Sequence, residues 1–338
     1  MPQRLIEAGN ARFGLFDQPV ETINADDFVQ RSSMDRLAPT LLRRFAYNQF
    51  QFVGVCSPEL VLGCAVVDLK WVGSSFFYVY LPPSGELFEW SRLQPLARRT
   101  ALALTPDRGC SVFSGRGLNV TIQAESDPRQ RRLTATFGRD GRLDARLVEP
   151  AAFRPLALCT RAGYNGWVYT QKAAGLPVTG SLQFRGRDFD LGALAAHGNY
   201  DWTCGFMRRH TFWNWACCTG VLPDGRRFGL NLAAGVNETG FTENVFWLGD
   251  RFVKVDTVHF QFDRLQPTQP WTVSSYDGRV ALRFEPEGLR REKLHVGFLA
   301  SNFKQVFGRF YGTVHDADGQ AAPIDGLYGF CEDHYAKW

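Results

Sequence analysis

No apolar run in the 338 residues approaches the roughly 20 needed to span a bilayer, and the opening MPQRLIEAGNARFG lacks the apolar core of a secretory signal. A cytoplasmic location is the expectation. There is no CxxC pair among the eight cysteines (Cys56, Cys64, Cys110, Cys159, Cys204, Cys217, Cys218, Cys331), so they read as reduced, small apolar fillers. Adjacent Cys217 and Cys218 point to opposite faces of a strand, which does not suit one metal. The six histidines are widely separated, so no metal site is expected. Neither sign of charge is in marked excess. The formal net charge is +4 and the longest basic cluster is Arg129, Arg131 and Arg132, which argues against a nucleic-acid partner. The pairs Arg43-Arg44, Arg98-Arg99, Arg131-Arg132 and Arg290-Arg291 read as solvated faces, with transient contact to a membrane surface as a side expectation. A phosphate loop, a Rossmann fingerprint, a GxSxG elbow and an HExxH helix are all missing, and no cofactor is expected.

What the chain has is aromatic residues and glycine: 28 Phe, 9 Trp, 10 Tyr and 33 Gly, a composition that favours sheets and tight turns. One helix is predicted over Asp35 to Tyr47, with Pro39 near its first turn. Residues 1 to 30 read as an extended lead-in whose LFDQPVE threads along the body as an edge. The rest reads as short strands punctuated by turns, among them the hairpin signals Arg139-Asp140-Gly141, Gly249-Asp250 and Asp277-Gly278. Strands of this spacing argue for antiparallel barrels or sandwiches, and their number for two of them. Pro150 and Pro155 mark a boundary, giving domains 1–155 and 156–338.

The densest chemistry lies in HGNYDWTCGFMRRHTFWNWACCTG, His197 to Gly220. With a period of two, Arg209, Thr211, Trp213, Trp215 and Cys217 fall on one face and His210, Phe212, Asn214, Ala216 and Cys218 on the other. Neither face is purely apolar, which suggests a sheet lining an apolar interior with placed polar groups. The alternative is a Trp-rich core or domain seam in which Asp201 pairs with Arg208 or Arg209.

Asp201, between Tyr200 and Trp202, is the candidate acid: desolvation would keep it protonated and able to protonate an alkene, enol or epoxide. Glu243, in Thr242-Glu243-Asn244, supplies a second carboxylate on the same face as Trp247, to orient an arginine or act as a base. The candidate catalytic set is Asp201, Glu243 and Arg209. The candidate ligand-binding set is Tyr169, His197, Tyr200, Trp202, Arg208, His210, Trp213, Trp215, Asn244 and Trp247. Lys172 reads as either a cavity-lining or a solvated strand-end residue. Glu332 and His334, two apart near the chain end, read as a proton relay or a surface pair.

YTQK (169 to 172), DWTCGFMRRHTFWNWACCTG (201 to 220), TEN (242 to 244) and GFCEDHYAKW (329 to 338) together resemble the DUF2804 family over nearly the whole chain. That family is in turn distantly similar to two-domain lipocalin-like proteins, including carotenoid hydratases and AttH-like proteins. The resemblance implies an all-β fold of two consecutive antiparallel lipocalin-like β-barrels or half-barrels with little helix, the central motif in the second, and final strands that cross back toward the first. It also implies an apolar ligand and at most a proton transfer without cofactor. This sequence lacks the paired histidine-aspartate pattern of the hydratases. Three readings of function follow. The first is binding of an apolar small molecule of fatty acyl, isoprenoid or polyketide type. The second is a cofactor-independent isomerase, cyclase or hydratase with Asp201 as proton donor, and the third a structural or assembly protein.

Overall fold

The computed structural model describes residues 3–139, 141–236, 240–297 and 299–337. Among them the only α-helix is Thr40–Ala46, and the rest is built on antiparallel strands. The helix is shorter than predicted because it starts only after Pro39, whose ring biases the preceding residue toward extended backbone.

Two curled half-barrel sheets carry the fold. The main path of the first runs Glu86–Pro95, Val72–Leu81, Val61–Asp68, Asn48–Cys56, His197–Gly205, Gly166–Phe184, Gly141–Val148, Arg129–Phe137, Leu118–Ser126, Gly109–Gly115 and Thr100–Ala101. The second runs Arg251–Lys254, Val245–Leu248, Arg227–Ala234, His210–Val221, Ala321–Lys337, Leu299–His315, Val280–Val296, Trp271–Ser275 and Val258–Gln261. The lead-in joins the first sheet where Gly14–Leu15 pairs with Leu156–Ala162. Phe137 pairs with Gly141 as the hairpin signal there requires, although Asp140 itself lies outside the described residues.

The change of sheet lies between Gly205 and His210, while positions 155 and 156 fall within the part of the chain that builds the first sheet. The His197 to Gly220 motif therefore straddles both sheets. The final strand, Ala321–Lys337, pairs with His210–Val221 and Leu299–His315, so it belongs to the second sheet. It reaches the first through side chains, with Phe330 edge-on to Phe52 at 6.0 Å.

Burial follows position. Leu118–Ser126 alternates buried and exposed positions, as a strand with one face on a core must. His197–Gly205 is buried throughout because both of its faces are covered. The sheets meet through aromatic contacts, with Tyr80 stacked on Phe307 at 4.7 Å and Phe52 edge-on to Trp215 at 5.7 Å. Their backbones approach closely where Gly166–Phe184 bulges between Ala174 and Leu176. Gly175 there has φ +77°, and a Cβ on Gly229 of the second sheet would lie 2.1 Å from the Ala174 carbonyl oxygen. Only glycine permits that approach. The second sheet also closes on a core of its own, in which Trp271 stacks on Phe262 at 3.7 Å.

Candidate functional site

Between the sheets lies a cavity of about 480 Å³. Phe50, Phe52, Val67, Leu69, Val72 and Phe76 line it from the first sheet, and Trp213, Trp215, Leu294, Leu299 and Phe303 from the second. Charged groups in the lining include Lys172, Asp201, Arg208, Glu243, Arg290, Glu292 and Glu332, with His334 beside them.

Strand alternation builds the first charged cluster. Asp201 and Thr203 face the cavity, and Lys172 is the cross-strand partner of Asp201. The Lys172 ammonium lies 2.9 Å from Asp201 Oδ2 and 2.8 Å from Glu243 Oε2, and 5.2 Å from the centre of the Trp215 ring. Thr170 and Thr203 hydroxyls donate to Asp201 Oδ1 at 3.2 and 2.6 Å. Burial pulls the Lys172 ammonium down, but Asp201 and then Glu243 outweigh it and hold the group above its ordinary value. Lys172 is thus neither solvated nor at a strand end, because its strand runs on to Phe184.

The second cluster comes from the other sheet. Glu332 accepts from Trp213 Nε1 at 3.2 Å and Gln305 Nε2 at 2.8 Å. Burial pushes its carboxyl up to about 7 against the opposing pull of Trp213, Arg290, Lys172 and Gln305. His334 bonds Ser301 Oγ through Nε2 at 2.9 Å and lies edge-on to Trp213 at 4.2 Å; its Nδ1 has no hydrogen-bond partner. Burial, reinforced by the charge of Arg290, pushes its imidazole down to about 3, which keeps it neutral. Arg290 is 1% exposed, pairs with Glu89 and Glu292, and lies over Phe76 and Phe303 at 4.4 and 4.9 Å.

Of the predicted residues, the structure brings Asp201, Glu243, Arg208, Trp213 and Trp215 to the cavity. Asp201 is ion-paired with Lys172, while Tyr200 and Trp202, its sequence neighbours, point to the opposite face of the strand. Tyr200 donates to Glu149 Oε1 at 2.9 Å and carries the Arg131 guanidinium on its ring at 3.4 Å. Trp202 packs edge-on to Tyr169 at 6.2 Å in a separate core formed with the lead-in. Arg209 and His210 are exposed, the latter 2.8 Å from the Tyr335 hydroxyl, and neither lines the cavity. His197 is buried away from the lining. Asn244 is a backbone brace, accepting from Ala233 N at 2.7 Å and donating to Asp256 O at 2.9 Å. Trp247 donates to the Arg154 carbonyl at 2.8 Å and stacks on Phe153, also outside the lining.

Two of the arginines expected on solvated faces are buried. Arg131 pairs with Glu149 and Asp107, and Arg290 faces the cavity. Unbroken alternation from Val280, Leu282 and Phe284 would put Arg290 on their face. Those three residues face the core of the second sheet, and the bulge between Pro286 and Gly288 reverses the face, which takes Arg290 off that core and into the cavity wall. The Pro-x-Gly of Pro286-Glu287-Gly288 was the available signal. Among the described residues no group of three or more His, Cys, Asp or Glu side chains could hold a metal ion. No described helix is long and apolar enough to cross a membrane.

No curated protein matches the sequence. Among solved structures, similar chains include an AttH-like protein of Nitrosomonas europaea, 12% identical, with 86% of this chain and 92% of that one covered and a TM-score of 0.48. Kievitone hydratase of Nectria haematococca is 9% identical over 86% of this chain and 89% of its own, TM-score 0.45. CghA with Sch210972 is 8% identical over 96% and 97%, TM-score 0.47. At these scores, all below 0.5, the likeness carries no functional argument. The family is shown by the family model of a domain of unknown function, DUF2804, which matches residues 2–338: the chain belongs to the DUF2804 family.

Proposed function

We propose that the protein binds an apolar small molecule of fatty acyl, isoprenoid or polyketide type in the cavity between its sheets. The observation that carries this reading is a cavity of about 480 Å³ walled by aromatic and aliphatic side chains, with a few charged groups placed among them. Small-molecule sites have this size and makeup. A solid aromatic seam, as a purely structural role would need, is not what Trp213 and Trp215 form, since both border the cavity. The test uses them as reporters: a brominated fatty acid or isoprenol that enters quenches tryptophan fluorescence saturably. The W213F/W215F variant should lose most of that quenching. Quenching that never saturates, or is unchanged in the variant, defeats the reading.

A second reading, proton transfer without cofactor, is favoured by Glu332, a cavity-lining carboxyl pushed up to about 7. A group of that kind both gives and takes protons near neutral pH. In this reading Asp201, paired with Lys172, anchors the site and Glu332 titrates. Once a substrate is identified, E332Q should lower turnover by about 10²-fold or more while binding persists. Turnover at the parent rate in E332Q would exclude Glu332 as the acid.

A further inference from the structure

The helix and the loop before it hold apolar side chains out in solvent. Met34, Leu37, Leu41 and Leu42 are 74, 64, 66 and 62% exposed. Leu41, Leu42 and Phe45 have the spacing of one helix face, and Phe45 stacks on Trp71 at 3.9 Å. Trp71 stands between Leu69 and Val72, both of which line the cavity. Leu96, whose N–H donates to the Trp71 carbonyl at 2.7 Å, and the cavity-lining Leu93 extend the belt. The exposed apolar surface is thus continuous with the cavity rim.

The belt is held in shape. Ser32 N–H donates to Arg36 O at 2.8 Å, Ala38 N–H to Gln30 O at 3.0 Å, and the Arg43 guanidinium ties the helix to the carbonyls of Asp26 and Phe28. Its surroundings are basic. Within 31–45, 69–72 and 92–99 stand Arg31, Arg36, Arg43, Arg44, Lys70, Arg92, Arg98 and Arg99 against one acid, Asp35. Of these, Lys70 is paired with Asp68 and Arg43 with Asp26, from outside those ranges. An apolar patch rimmed by polar groups marks an interaction site, and a basic rim selects an anionic partner.

We propose that this belt docks on an anionic lipid bilayer, with Leu41, Leu42 and the neighbouring Met34 and Leu37 entering the headgroup boundary and the arginines meeting lipid phosphates. An apolar ligand would then pass between bilayer and cavity along the rim at Leu69, Val72 and Leu93. Docking stands on the surface alone; ligand passage rests on the binding function proposed above.

The experiment is flotation of the full chain with vesicles of phosphatidylcholine, alone or mixed with phosphatidylglycerol, at low and high salt. The protein should float with the anionic vesicles at least about tenfold better than with the neutral ones, and salt should weaken this. L41D/L42D changes side chains that are mostly in solvent and should lower flotation about tenfold while the melting temperature holds. R36E/R44E should lower it on anionic vesicles. Absence of flotation with anionic vesicles, or flotation of L41D/L42D equal to the parent, overturns the proposal. So does a concentration-dependent dimer that L41D/L42D abolishes without any vesicle binding, which would assign the face to a second copy. Flotation without uptake of a brominated ligand from the vesicles keeps the docking and defeats the cavity reading.

Discussion

Replacing Lys172 by methionine would leave Asp201 and Glu243 buried without the ammonium that now lies 2.9 and 2.8 Å from them. Both carboxylates are nearly inaccessible, at 6% and 4% side-chain exposure, so water cannot take over the role. Removing one partner of a buried ion pair costs about 3 to 5 kcal/mol, mostly through the charge left behind. The stability of K172M should therefore be lower by about that amount near pH 8 in urea unfolding. The triple variant K172M/D201N/E243Q, which removes all three charges, should recover most of the loss. A K172M loss below about 1 kcal/mol, or no recovery in the triple variant, would refute the view that these three side chains form one buried ionic unit.

Glu332 gives a second pH signature. Its carboxyl, with an ordinary value of 4.5, is pushed up to about 7 in the fold, so the native state keeps a proton that the unfolded chain releases, and stability falls between those two pH values. E332Q should flatten that slope, by at most about 3 kcal/mol across the window, in thermal unfolding followed against pH. G229A should destabilise by about 3 kcal/mol, because its methyl would meet the Ala174 carbonyl oxygen at 2.1 Å and the sheets would have to part. Cys110 is the one exposed cysteine, so native alkylation should label one thiol quickly and the other seven only on unfolding, as mass spectrometry would show.

Local alternation made much of this structure legible. Thr211, Trp213 and Trp215 share the cavity face as their spacing requires, and the strands from Leu118 to Phe137 pair as their alternation suggests. The same rule separates Asp201 from Tyr200 and Trp202, since neighbours along a strand are opposite one another in space. Two features lay beyond local pattern. The Pro286/Gly288 bulge reverses the face of Arg290, and although Pro286-Glu287-Gly288 signals an interruption, it does not say which face the residues after it take. Lys172 finds Asp201 on its own sheet but Glu243 in the segment that leads into Val245–Leu248 of the other, and Glu332 finds Trp213 and Gln305 on strands more than 25 residues away in sequence, so neither cluster can be read from local pattern. The shift from one sheet to the other after Gly205 was similarly hidden, because the aromatic motif runs through it without a break in style.

The central claim, an apolar molecule in the inter-sheet cavity, is tested most directly by native mass spectrometry of freshly purified protein beside a variant whose cavity is filled. Ala65 lines the cavity and is 4% exposed, so A65W puts an indole into the ligand's space. The parent chain should carry an extractable apolar adduct, or take one up from a panel of fatty acids, isoprenols and polyketides, and folded A65W should carry none. A bare parent mass with no uptake from the panel, or an adduct retained in full by A65W, would contradict the claim.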